Sequence, residues 1–283
     1  MSGRRYYSTR TGKNPNARKF DIGMLRRLFR DQYLELLRTD YFQEAFGYSC
    51  VDAGDVAGKL GQDIEAQVFR VLRKSSLWPI HEKCLEYSED DLFDVVEFLF
   101  DYVSKPLEGR YHSYGGCGWH YDTFDKDEGQ KEFRSRVNEI LQDYSTGYEL
   151  SEQGEILELA EHGLENLFAA GLPTYDPENI ERRVNAAILK FRRYHSTLDE
   201  RRDAIRDLAD VLEFLRPKAK EVLTSKDESD LFNLANNFGI RHHNPDQKTD
   251  YDKSIWYSWM FYYNLSTIHA CLRLIKKKEP GSK

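Results

Sequence analysis

The chain has 283 residues, of which 40% are hydrophobic and 31% charged, with a formal net charge of -7. That length buries a sizeable core, in one large domain or two ordinary ones. No run of eighteen or more apolar residues occurs, so a membrane-spanning helix is not expected. The opening "MSGRRYYSTRTGKNPNARK" is too polar for the core of a secretion signal, which makes the cytoplasm the expected location. Residues 1–20 read as a flexible basic arm.

Helical spacing takes over at Asp21. In "DIGMLRRLFRDQYLELLRT" residues Ile22, Leu25, Leu28, Phe29 and Leu36 recur on one side with arginines opposite, the mark of an amphipathic helix. Further helices are expected near 62–74 and 89–104, the second opened by Ser88 as N-cap with Asp91 three residues on. Its stretch "LFDVVEFLFDYV" is apolar almost all round, so it belongs in a core. "PLEGRYHSYGGCGWHYDTFDKDEG" then breaks the pattern as a long loop, and a helix follows over about 129–144. Alternation on either side of Ser-Glu-Gln-Gly predicts one small β-hairpin near 147–157. "GLPTYDPEN" reads as a boundary, with Asp176 as N-cap and Pro177 in the first helical position. Helices are then expected at 177–194, 198–223 with Pro217 bending or ending it, 228–238 and 253–277. In the last of these, Trp256, Met260, Cys271 and Ile275 fall on one face and Trp259, Tyr262, His269 and Arg273 on another. The expected fold is mainly α: an acidic helical domain over 21–170 carrying the hairpin, and a second helical bundle over 171–283.

Charge is unevenly spread. Lys plus Arg against Asp plus Glu count ten to three over residues 1–38, eleven to twenty-nine over 39–176, and twenty to sixteen over 177–283. Phosphate avoids an acidic surface, so nucleic acid is expected to meet the arm or the C-terminal third rather than the middle. The four cysteines, Cys50, Cys84, Cys117 and Cys271, form no CxxC pair and read as reduced thiols. "HSYGGCGWH" places His112, Cys117 and His120 within nine residues, and imidazole and thiolate are zinc donors. A closed structural site needs a fourth, and nothing in the sequence brings up His81 or Cys84. This stretch is therefore read as a glycine-aromatic loop against the core, with no metal and no cofactor expected. Walker, HExxH and GxSxG motifs are absent, which removes the usual support for NTPase, zinc-protease and serine-hydrolase readings.

The remaining candidate is "NNFGIRHHNPDQ". Gly239 can end a helix, and Asn244-Pro245 breaks the chain again. The turn between them presents Arg241, His242 and His243. Arginine suits phosphate and histidine exchanges protons near neutrality, the two roles that metal-free RNA cleavage needs. The alternative is a polar turn in which Arg241 pairs with Asp246 or Asp250.

From "PENIERRVNAAILKFRRYHSTLDERRDAIRDLADVLEFLR" through "LFNLANNFGIRHHN" to "WMFYYNLSTIHACLRL", the chain resembles the HEPN superfamily, in particular the abortive-infection (AbiJ-like) proteins of prokaryotic antiphage defence. The resemblance spans roughly residues 177–277. It implies a helical bundle, a homodimer and metal-independent endoribonuclease activity on RNA, tRNA included. Arg241 would contact phosphate, His242 or His243 would act as base, and Asn237 or Asn244 would orient them. Where the signature carries its second histidine, this chain has Pro245, Asp246, Gln247 and Lys248. The alternative is accordingly a non-catalytic HEPN-fold interaction or sensor subunit, joined to a partner protein of a defence operon or toxin-antitoxin system.

Overall fold

A computed structural model describes residues 6–13, 20–161, 163–173, 176–224, 226, 231–232 and 251–278. The chain is mainly α and divides into two compact units, Met1–Leu159 and Ala160–Lys283. Among the described residues no helix is long and apolar enough to cross a membrane.

In the first unit, α1 (Ile22–Arg38) starts where Asp21 accepts the Met24 N–H, and it buries Leu25, Phe29, Tyr33 and Leu36. α2 (Ile64–Leu72) is capped by Asp63. α3 (Glu89–Tyr102) opens on a complete Ser88–Asp91 capping box, which satisfies two amide donors at once. It buries Leu92, Phe93, Val95, Val96, Phe98, Leu99 and Phe100, as its all-round apolarity requires. α4 (Lys126–Leu141), capped by Asp125, adds Phe133, Val137, Ile140 and Leu141. Rings join these elements: Phe42 lies edge-on to Phe133 at 6.4 Å and beside Tyr33 at 5.6 Å. Arg136 on α4 also reaches Glu35 on α1 at 2.7 Å.

The expected hairpin is formed by β7 (Tyr148–Leu150) and β8 (Ile156–Glu158), antiparallel with Leu150 opposite Ile156. Asn138 of α4 clamps it, donating to the Leu150 carbonyl at 3.1 Å and accepting the Leu150 N–H at 2.6 Å. The first unit is richer in strand than one hairpin. β1 (Gly47–Cys50) pairs β2 (Gly54–Ala57), β3 (Lys105–Pro106) pairs β6 (Phe124–Asp125), and β4 (Gly109–His112) pairs β5 (Gly118–Tyr121), all antiparallel. Glycine-rich strands of two to four residues carry too little alternation to announce themselves. The segment read as a long loop is thus a pair of ladders closed by tight turns.

The second unit begins before the boundary expected at residue 171. α5 (Glu165–Ala169) lies upstream of the proline-rich stretch, yet Leu167 and Phe168 pack on the second core. Asp176 caps the turn opened by Pro177, as expected, but that turn is a π-helix over Pro177–Glu181 that runs on into α6 (Arg182–Arg192). α7 (Leu198–Ala219) opens on a Thr197–Glu200 capping box and ends two residues after Pro217, a residue that cannot donate to the helical ladder. α8 (Lys253–Lys278) buries Tyr257, Met260, Phe261, Leu265, Ile268, Leu272 and Ile275. Phe191 of α6 stacks on Phe261 of α8 at 3.9 Å. The expected division of α8 into two faces is redrawn by this packing: His269 is buried while Trp256 and Trp259 are partly exposed.

Candidate metal centre

Two turns of the first unit meet at one point. The first joins β1 to β2 and begins at Cys50; the second joins β4 to β5 and contains Cys117. Their approach is close enough that a Cβ on Gly115, whose φ is +66°, would lie 2.6 Å from a Val51 methyl. Glycine is favoured there on grounds of both space and backbone conformation. Strand alternation does the rest. In β4 and β5, His112 and His120 share one face of the ladder, with Tyr111, Trp119 and Tyr121 on the other.

The result is four donors in one place. Cys50, His112, Cys117 and His120 each offer a ligand atom, and these atoms all lie within 4.8 Å of one another. The Cys50 sulfur is 3.5 Å from His112 Nδ1. A tetrahedral Zn²⁺ with its ordinary bond lengths has S···N edges of about 3.5 Å and S···S edges of about 3.8 Å; the Cys50–His112 edge already has that length, and the other donors lie near enough to close on an ion. His120 Nε2 is buried and has no hydrogen-bond partner. A buried, unpaired ring nitrogen is costly, and coordination would satisfy it.

The surroundings match the same use. Asp52 Oδ2 lies 3.3 Å from His112 Nε2, placed to hold the ring with Nδ1 aimed at the sulfurs, as a carboxylate behind a ligating histidine does. The Val51 N–H donates to Cys117 Sγ at 3.3 Å. Backbone N–H groups of Ala53 and Asp52 hold the Cys50 thiol below its ordinary range despite its burial. Thiolate is the form that binds metal. Tyr48 stacks on the His120 ring at 4.1 Å, fixing the remaining ligand. Gln43 secures the hairpin from outside, donating to the Trp119 carbonyl at 2.9 Å and accepting the Tyr121 N–H at 2.7 Å. All four cysteines are free thiols.

Sequence reasoning found three of these donors and, expecting no metal, missed the fourth. Cys50 is 62 residues from His112, beyond any local motif. His81 and Cys84 lie elsewhere: the His81 carbonyl accepts from Arg30 Nε at 2.9 Å, and Cys84 is fully buried, its thiol raised to about 11 by desolvation. The other sequence candidates, Asn237, Arg241, His242, His243 and Asn244, lie outside the described residues. No family model, curated protein or solved structure matches the chain.

Proposed function

We propose that the first unit is a zinc-organised recognition module in which Cys50, His112, Cys117 and His120 hold one Zn²⁺. The observation that carries this reading is the convergence of two thiols and two imidazoles from two separate hairpins, one imidazole with an orphaned buried nitrogen. Four protein donors leave no open position for water or substrate, which is the arrangement of a structural rather than a catalytic zinc. The ion would tie the β1–β2 turn to the β4–β5 turn, a stretch whose own apolar packing is thin. The test is metal content. Purified protein is expected to carry one Zn²⁺ per chain, and Cys50→Ser or His120→Ala to abolish it. Wild-type protein that takes up no zinc under reducing conditions would rule the reading out.

The three helices α6, α7 and α8, which share one apolar core, favour a second reading for the C-terminal unit. We propose for it a HEPN-like helical bundle of antiphage defence, cytoplasmic and homodimeric, cutting RNA without metal through Arg241 and His242 or His243. Its alternative is the same bundle as a non-catalytic subunit bound to a partner protein. The assay is incubation of zinc-loaded protein with total RNA and tRNA in magnesium-free buffer. EDTA is avoided because it would strip the first unit. Discrete cleavage that Arg241→Ala abolishes is the expected result. No cleavage, or cleavage unchanged in Arg241→Ala, removes the nuclease reading.

A further inference from the structure

The hairpin that supplies His112 and His120 from one face turns a row of rings outward on the other. Tyr111 and Trp119 sit opposite each other across β4 and β5, with ring centroids 5.5 Å apart and planes inclined at 65°. Trp119 in turn stacks along Tyr121 at 5.6 Å and 19°. Tyr111 is 63% exposed and Trp119 45%, and Leu107 at the hairpin's base is exposed as well. Large aromatics left in water beside one another mark a contact surface more often than single exposed side chains do.

The sequence flanking this row carries a charge that suits one kind of partner. Residues 108–128 hold five acidic side chains, Glu108, Asp122, Asp125, Asp127 and Glu128, against two basic ones, Arg110 and Lys126. Asp40 is tied to the same ladder through Gln43, which donates to Asp40 Oδ1 at 3.3 Å and accepts the Tyr121 N–H at 2.7 Å. Arg110 belongs to the histidine face of the ladder by alternation. Electron-rich ring faces in an acidic setting attract cations and repel phosphate.

We infer that the Tyr111–Trp119–Tyr121 row is a docking surface for an arginine-bearing segment of a protein partner. The guanidinium lies over the rings, and the neighbouring carboxylates supply long-range attraction. Arginine is favoured over lysine because its planar, weakly hydrated group stacks on aromatic faces. The inference rests on the zinc reading only in that the ion fixes the hairpin; the rings themselves are not donors. A cross-strand aromatic pair also steadies a hairpin, and measuring zinc on every variant separates that role from binding.

The test uses the full chain loaded with zinc and a fluorescently labelled arginine-rich peptide, with its glutamate counterpart and poly(U) as competitors, at physiological salt. Anisotropy should show saturable binding of the arginine peptide alone. Affinity is expected to fall about tenfold in Trp119→Ala and Tyr111→Ala, to vanish in Tyr111→Lys, and to survive in Trp119→Phe, with one zinc per chain in each. Wild-type protein that ignores the peptide, variants that bind it equally well, or preferential capture of poly(U) would each overturn the inference. Protein that binds no zinc yet keeps ring-dependent peptide binding would fail the zinc reading and leave this one standing.

Discussion

The two units are stabilised in different ways. In the second, Phe191, Leu208, Leu212, Phe261, Leu265 and Ile268 come together from three helices; α6 and α7 announce their buried faces by helical spacing, whereas packing decides the buried face of α8. In the first, α1, α3 and α4 obey the same rule, but the turns at Cys50 and Cys117 belong to strands of four residues with little to bury. There the cross-link we propose is chemical, made by donors far apart in sequence. A core of periodic helices is distributed and tolerant, whereas a centre built on four atoms fails when one is removed.

Breaking the centre should therefore have the largest effect. Structural zinc contributes on the order of 10 kcal/mol to the folding of small zinc peptides. Cys117→Ser or chelation is expected to lower the melting temperature of the first unit sharply while the second keeps its helical signal, as differential scanning calorimetry of the full chain would show. In the second unit, Phe261→Ala removes a ring that is fully buried against Phe191 and should cost about 3–5 kcal/mol in chemical denaturation. No loss of zinc should accompany it. Asp52→Asn weakens the carboxylate behind His112 and is expected to reduce zinc affinity about 10–100-fold, measured by competition with a chelating dye.

The smallest effect concerns acid. Glu132 on α4 is held below the usual carboxylate range by Lys105 at 2.5 Å and by the Tyr41 hydroxyl. A depressed pKa stabilises the fold above the ordinary carboxylate value and gives that up as pH falls through the lowered one. Glu132→Gln should thus flatten the acid limb of the stability curve below about pH 5. Its difference from wild type should be greatest near neutrality and smallest in acid.

How far each region could be read from sequence follows the same contrast. Ser88 and Asp176 were legible as caps because capping is a short-range exchange between a side chain and an amide three residues on. The α3 core was legible because an all-round apolar helix has nowhere else to go. The β1–β2 and β4–β5 ladders were not, since strands of four residues that each open on a glycine present no period. His112, Cys117 and His120 stood out as donors, but their meaning depended on Cys50, which only the tertiary approach of two turns supplies. Asp52 was invisible for the same reason: a supporting carboxylate has no signature until the ring it holds is in place. The second unit's start was misplaced at Gly171 because prolines punctuate the chain there, while burial of Leu167 and Phe168 decides the boundary further upstream.

The most direct measurement is the visible spectrum of the reduced, metal-free protein titrated with Co²⁺. Two thiolates and two imidazoles in a tetrahedron should give intense d–d bands near the red end and a sulfur-to-cobalt charge-transfer band. These should saturate at one equivalent, collapse on adding Zn²⁺, and weaken in Cys50→Ser. Weak octahedral absorption without charge transfer, or bands indifferent to Cys50→Ser, would contradict the metal centre on which the account of the first unit rests.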